Sequence, residues 1–424
     1  MVLLVTVGGN HQPIVRAIET IKPEFVVFLC SHDLGTTKGS YEQVVGKGNV
    51  LRSSPGKAPD LPNIVVLTEL PEGHYKVVTM PPDDFELCYA AIRKEVAFVK
   101  KEYPRGRICA DYTGGTKTMS AALVTVAVDD PEIQLLVTVG DRRDLEKVAD
   151  RTEHTTAAPT ARVRTQRILD SVDQRLTVYD YDGAEAILRE AVAGLQTDNA
   201  QRVRGAIHFC QGLKEWDKFQ YARAYDSLKP YGRYLKQIAV LGYLQSEQGS
   251  RSYTAVEDLL HNAERRYCQE RYDDAVARVY RSLELLVQVW LQERYGIHTS
   301  DVDVSKVPSE ARPFMELHRE AREDTVKLGL MAAWDLLQFF PDDALGRWYE
   351  GRRNVFLDFL QHRNLSKLAH GDRPVDKMTY LRSARPVIEM CREVLGKIPS
   401  WTGKRVGRLE QLPNRLPDEL KQLW

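Results

Sequence analysis

The sequence lacks an excess of charge of either sign: 59 Lys and Arg stand against 59 Asp and Glu in 424 residues. A uniformly basic nucleic-acid coat and an acidic disordered solubiliser are both excluded by that balance. Cysteine is sparse and unpaired. Cys30, Cys88, Cys109, Cys210, Cys268 and Cys391 lie far apart with no CxxC, which argues against a zinc knuckle, a redox motif or a disulfide framework and fits a reducing cytoplasm. Long apolar runs are missing too. Val2–Val5 and Phe25–Leu29 fall far below the roughly 18 residues a spanning helix needs, and no basic n-region opens the chain. The expectation is a cytoplasmic protein without a membrane segment. Two nucleotide signatures are also absent: Thr116 separates Gly115 from Lys117, which breaks a Walker A loop, and Gly8-Gly9-Asn10 does not make Gly-x-Gly-x-x-Gly. A nicotinamide dehydrogenase is disfavoured.

What is present divides in two. At 43% hydrophobic and 28% charged, the composition supports two or three domains of about 150 residues each. Residues 1 to about 150 alternate apolar β-branched runs (Val2–Val7, Phe25–Cys30, Ile64–Leu67, Arg107–Ala110, Ile133–Val139) with helical patterns near Pro13–Ile21, Asp83–Glu102 and Thr116–Val128. That order predicts a doubly wound parallel sheet covered on both faces. Residues 31–62 read as a mobile loop with one short helix near Tyr41–Val45. After about Thr152 the β signals vanish and helical periodicity takes over, as in Ala161–Leu176 and Gly183–Leu195. Three aromatic-Asp pairs, Tyr181-Asp182, Trp216-Asp217 and Tyr272-Asp273, read as Asp-capped helix starts in preference to a regular repeat. Ala255–Tyr295 reads as a helix pair, Arg347–Leu395 as two or three more helices, and the tail from Pro399 as mostly irregular.

Chemistry concentrates at two places. The first is the set of loops after the sheet strands, where open parallel sheets bind ligands. One loop carries Gly8-Gly9-Asn10, and another carries Asp111-Tyr112-Thr113-Gly114-Gly115-Thr116-Lys117 and runs straight into a helix. Paired glycines allow close backbone approach, unpaired N–H groups at a helix start attract anions, and Lys117 adds a full charge. Tight turns alone would also use these glycines. The second place is Arg363-Asn364-Leu365-Ser366-Lys367-Leu368-Ala369-His370-Gly371. On a helix, the seven steps from Arg363 to His370 fall about 20° short of two turns, so both would share a face, with Gly371 as the stop. An imidazole, a fixed cation and an amide suffice for RNA phosphodiester cleavage without metal; a capping His and a solvated Arg would look the same. No His, Cys or carboxylate cluster has metal-ligand spacing here.

In their order along the chain these features resemble the CRISPR-associated CARF and HEPN ribonucleases that accompany type III interference complexes. Asp111–Lys117 carries the resemblance in front, Arg363-Asn364 and His370 in back, and the stretch Arg271–Glu284 looks like the helix that begins the HEPN half in one subgroup. The resemblance implies an α/β plus all-α fold: a Rossmann-like CARF domain over 1–155, a helical connecting region over 156–250 and a helical HEPN domain over 251–424. It implies a homodimer whose CARF pair binds a cyclic oligoadenylate as allosteric activator and whose HEPN pair cuts single-stranded RNA, leaving a 2′,3′-cyclic phosphate. No cofactor or metal is required. Thr113, Gly114, Gly115, Thr116 and Lys117 would hold ligand phosphates and riboses, Gly8, Gly9 and Asn10 the opposing wall, and Ser31 and His32 an adenine or ribose. His370 would be general base or acid, Arg363 the transition-state stabiliser and Asn364 an orienter. A two-fold site needs an even ring of four or six units. Two alternatives stay open: a sensor that opens its own ring ligand, and a regulator with an inactive HEPN half. Residues from about Thr152 to Ser250 would act as the lever between ligand and nuclease. The charge balance is a cancellation, since residues 351–424 hold 15 Lys and Arg against 8 Asp and Glu, a local excess suited to an RNA strand.

Overall fold

Val2–Val7 (β1) and Phe25–Ser31 (β2) are almost wholly apolar, and β1 is buried along its whole length, as strands covered on both faces must be. They pair in parallel with Tyr75–Met80 (β3), Ile108–Asp111 (β4) and Ile133–Val139 (β5), and His154–Ala157 (β6) closes one edge antiparallel to β5; the order is β3-β2-β1-β4-β5-β6. Gln12–Ile21 (α1) packs on one face, while Phe85–Glu102 (α2) and Lys117–Asp129 (α3) share an apolar cluster on the other. This computed structural model describes residues 1–424 apart from 34, 36–37, 55, 140–141, 144–146, 149–153, 193–196, 321–324, 370, 405 and 422–424. Contacts divide the chain into two units, Met1–Arg167 with Gly194–Asn199, and Ile168–Ala193 with Ala200–Trp424.

Two strand expectations are corrected. Ile64–Leu67 is one turn of helix, not a strand: the Asn63 carboxamide accepts from the Val66 N–H at 2.9 Å and caps it, which outweighs a four-residue β-branched run. The third strand is Tyr75–Met80, entered through Gly73 at φ 86°. The β pattern also does not end near Thr152, because His154–Ala157 adds the antiparallel edge. Tyr41–Val45 is helical as read.

The second unit is helical. Ala161–Leu176 (α4), which begins in the first unit, is followed by Tyr181–Val192 (α5), Thr197–Asp217 (α6), Tyr221–Leu228 (α7), Tyr253–Cys268 (α8) and Tyr272–Tyr295 (α9), and later by Arg353–Asn364 (α10) and Arg385–Thr402 (α11). One turn recurs three times. Tyr179, Phe219 and Glu270 adopt φ of 58°, 60° and 59°, and the N–H groups of Asp180, Gln220 and Arg271 reach back to the carbonyls of Arg175, Glu215 and Arg266. This is the Schellman closure of a helix, here with side chains where glycine is usual. A tyrosine then opens each next helix, and Ala184, Ala224 and Ala275 are buried three residues on. The hairpins therefore share a turn at unequal intervals. Trp216-Asp217 does not start a helix: it ends α6, because the turn follows it.

Asp217 faces inward instead. Its carboxylate accepts from Arg265 Nε at 2.7 Å, from Arg266 and from the Asn262 amide at 3.1 Å. Asp258, wholly buried, accepts from Trp216 Nε1 at 3.1 Å and the Tyr221 hydroxyl at 3.0 Å, and burial pushes its pKa up. The irregular tail ties the same helices together: the Arg265 guanidinium donates to Gln411 Oε1 at 2.6 Å, Tyr181 to the Pro413 carbonyl at 3.0 Å, and the Leu416 N–H to Asp173 at 2.9 Å. All six tryptophans lie beyond residue 200, so their fluorescence reports this unit. Asp217→Ala strips a buried cation of its main partner and is predicted to destabilise the unit by about 3–5 kcal/mol; urea unfolding followed by tryptophan fluorescence checks it, and a loss below about 1 kcal/mol contradicts it.

Candidate functional site

In strand order β2-β1-β4, the direction of winding across the sheet reverses between the parallel strands β1 and β4, which makes their carboxyl ends the switch point of the sheet. Gly8–Asn10 leaves β1 there and Thr113–Lys117 leaves β4. The two turns touch. A Cβ on Gly8 would lie 2.6 Å from the Gly115 nitrogen, one on Gly114 2.3 Å from the Thr6 carbonyl oxygen, and one on Gly115 2.8 Å from Thr6 Cβ, with Gly115 itself at φ 77°. Thr6 Oγ1 and Ser120 Oγ each donate to the Gly114 carbonyl at 2.7 Å. That carbonyl is thereby committed within the loop.

The threonines of this loop are already engaged. Thr116 caps α3, accepting from the Met119 N–H at 3.2 Å and donating to the Pro82 carbonyl at 2.5 Å, while Thr113 Oγ1 accepts from the Thr138 N–H at 2.7 Å. What the loop offers a ligand is backbone. Among the described residues the N–H groups of Gly114, Gly115, Lys117 and Thr118 have no hydrogen-bond acceptor, and Lys117 is exposed at the first position of α3 with no ion pair. An anion is the fitting guest. Asn10 turns its carboxamide oxygen to the Gln12 N–H at 3.1 Å, starting α1. Ser31 ends β2, one strand over, and His32 follows it; Ser31 is bonded to Ser40 on both its N–H and its hydroxyl, whereas the His32 side chain makes no hydrogen bond among the described residues.

Asp111, 1% exposed, supports the loop from below. Its carboxylate accepts from the Thr113 N–H at 2.8 Å and the Thr138 hydroxyl at 3.1 Å. Desolvation by burial raises its pKa above the usual 3.8, against the lowering effect of these bonds. Sequence reading placed Asp111 in the motif without a role, since its partner Thr138 comes from the next strand.

The second place is the end of α10. The helix stops at Asn364 with Leu365 as its cap, so it does not run on to His370, and the shared-face argument for Arg363 and His370 is corrected. The reason is a compact turn. The Ser366 carbonyl receives the N–H groups of Ala369 and Gly371, the Arg373 N–H returns to Leu365 and the Lys367 N–H to Arg373. Gly371 makes this possible, because a Cβ there would sit 2.1 Å from the Leu365 carbonyl oxygen. It is a fold-back residue rather than the stop directly after a helical histidine. His370 itself lies outside the described residues.

Arg363 stands in the last turn of α10, half-buried, where the helix dipole favours a cation. It donates to Asn364 Oδ1 at 3.1 Å, and its guanidinium carbon lies 4.3 Å from the centroid of the Tyr280 ring. The neighbouring basic groups are spoken for: Arg353 makes a two-point bond to Asp335 at 2.8 Å, and His362 Nδ1 faces the Asp358 carbonyl at 2.9 Å. Leu365, Leu368 and Met378 are exposed around the turn. Among the described residues no group of His, Cys, Asp and Glu could hold a metal ion, and no helix is long and apolar enough to cross a membrane.

Residues 246–393 match the family model described as the Csm6 HEPN domain. Csm6 of Enterococcus italicus, solved bound to cyclic hexa-2′-fluoro-hexa-dAMP, has a similar fold at 15% identity, with 94% of each chain covered and a TM-score of 0.61. Can2 of Sulfobacillus thermosulfidooxidans, solved with cyclic tetra-adenylate, overlaps 52% of this chain and 67% of its own at 12% identity and a TM-score of 0.24, too loose a likeness to define a fold. No curated protein sequence matches. The fold over nearly the whole chain is that of the E. italicus protein, and the sequence match is confined to residues 246–393. The carboxy-terminal part is thus similar to the Csm6 HEPN domain, and the α/β plus all-α fold read from the sequence is the one found.

One pH effect follows from Asp111. Because its pKa is raised on folding, wild-type stability falls as pH rises from below 3.8 through the folded pKa, whereas Asp111→Asn lacks that term. The stability difference between variant and wild type is predicted to shift toward Asp111→Asn as pH rises from below 3.8 through the raised folded pKa, read by hydrogen exchange of Ile108–Asp111; a pH-independent difference contradicts it.

Proposed function

We propose that this protein is a cyclic oligoadenylate-activated endoribonuclease that cleaves single-stranded RNA without a metal ion in type III CRISPR antiviral defence. The observation that carries the reading is Arg363-Asn364, presented at the exposed end of α10 within the Csm6-type HEPN match. The 2′-oxygen of RNA attacks the adjacent phosphorus, its proton passing to a base, while the bond to the 5′-oxygen breaks and that oxygen takes a proton. The products are a 2′,3′-cyclic phosphate and a 5′-hydroxyl, and no water is consumed. His370 serves as base or acid, Arg363 stabilises the charge on the phosphorane, and Asn364 orients Arg363.

One chain carries one Arg-Asn…His set, so the reading takes a homodimer with a composite site. Exposed Leu365, Leu368 and Met378 beside the turn support such a face. In front, the N–H groups of Gly114, Gly115, Lys117 and Thr118, with the Lys117 ammonium, take ligand phosphates, and Gly8, Gly9 and Asn10 line the other side of the switch point. The committed hydroxyl of Thr116 leaves its backbone as its contribution, whereas Thr113, bonded through both its hydroxyl and its N–H, braces the loop. Ser31 and His32 lie one strand further and suit a base or ribose. The bound ring in the E. italicus protein supports a cyclic oligonucleotide as the guest. The functional regions are 1–155, 156–250 and 251–424, with α6 and α7 of the middle region bonded to α8 through Asp217 and Asp258.

Separating the two sites tests this. Arg363→Ala and His370→Ala are predicted to lower RNA cleavage at least about 100-fold with ligand affinity unchanged, Lys117→Ala to weaken ligand binding with cleavage at saturating ligand retained, and a chelator to change nothing. Fluorescent RNA and a labelled cyclic oligoadenylate measure both. Loss of both properties in His370→Ala contradicts the assignment.

A further inference from the structure

Arginine has a long, rotamer-rich side chain, and at a helix end it is free to point in many directions unless something holds it. At Arg363 the holding surface is the ring of Tyr280 on α9, 4.3 Å from the guanidinium carbon. A guanidinium lying over an aromatic face is attracted by the ring quadrupole and keeps its N–H groups available at its edges. One of those edges is taken by Asn364 Oδ1 at 3.1 Å, which fixes rotation about the remaining axis. The same helix grips the far end of the segment. Asp273 lies seven residues before Tyr280, on the same face of α9, and its carboxylate accepts from the Val375 N–H at 3.0 Å. One face of α9 therefore touches both Arg363 and the strand of chain that returns from the turn.

We propose that Tyr280 is the positioning residue for Arg363: its ring sets the guanidinium where the charge on the phosphorane develops, and Asp273 holds the returning chain in register with it. The proposal rests on Arg363 being the group that stabilises that charge. It requires the aromatic face and not the phenolic hydroxyl, for which no hydrogen-bond partner occurs among the described residues.

The test uses the full-length protein, a fluorescent single-stranded RNA and saturating cyclic oligoadenylate. Tyr280→Phe is expected to stay within about two-fold of wild type in kcat, while Tyr280→Leu is expected to lower kcat about ten-fold with KM changed less than about three-fold, the size of one ring–guanidinium contact. Rescue by phenylalanine together with a loss confined to kcat is what a merely structural tyrosine would not give. If Tyr280→Leu unfolds by circular dichroism, Tyr280→Met fills the space without a ring and is held to the same criterion. Equal activity in the Phe and ringless variants overturns the proposal, as does an equal loss in both. Arg363→Ala in the same assay separates the two levels: if it still cleaves, the catalytic reading has failed; if it is inactive while Tyr280→Leu matches Tyr280→Phe, only the positioning role has.

Discussion

Two strand-to-helix turns lie against each other at the switch point of the sheet, closer than any side chain would permit. Glycine at 8, 114 and 115 is the condition for that approach, since a single Cβ at any of them would meet backbone or the Thr6 side chain at under 3 Å. From it follows the rest of the front site. The Gly114 carbonyl is pinned by Thr6 and Ser120, the Thr116 hydroxyl caps α3, and Asp111 at the end of β4 ties the loop to Thr138 on the neighbouring strand. With the hydroxyls of Thr6, Thr113, Thr116 and Ser120 committed, what the loop presents is N–H groups and the Lys117 ammonium. Such a set suits an anion without a basic domain.

The back site depends on a comparable economy of space. Gly371 lets the chain fold back on Leu365, which ends α10 at Asn364 and leaves Arg363 at an exposed helix terminus. That terminus alone would not orient an arginine. The face of α9 bearing Asp273 and Tyr280 meets the segment at both ends, and the carboxylates of half-buried Asp217 and buried Asp258 fasten α6 and α7 to α8 within the same unit. Removing one partner of such a pair leaves the other charge buried without compensation.

Much of this was legible in the sequence because apolar runs and glycine pairs report local constraints. The covered strands β1 and β2, α1, α2 and α3 and the glycine-rich loop after β4 follow from their own residues. Ile64–Leu67 misleads because four apolar residues fit a strand or a helical turn equally, and the deciding Asn63 cap is a single side chain. Tyr75–Met80 and His154–Ala157 carry too little apolar character, one partly covered and the other an exposed edge. Trp216-Asp217 looks like a helix start, yet the Schellman turn at Phe219 follows it. The end of α10 was illegible for the same kind of reason: Leu365-Ser366-Lys367-Leu368-Ala369 has a helical composition, and only the return contact of Gly371 breaks it. Tyr280 could be found within the HEPN-like stretch, but its partner lies 83 positions away in sequence, beyond the reach of spacing.

Coupling between an anion held at the glycine turns and cleavage at Arg363 is the claim on which the account stands. The most direct measurement is the initial rate of single-stranded RNA cleavage by the purified protein across a titration of cyclic tetra- and hexa-adenylate, for wild type and for Gly114→Ala. The account predicts a slow basal rate, saturable activation by one of the two rings, and a titration curve displaced to higher ligand in Gly114→Ala. A wild-type rate as fast without ligand as with it would contradict it.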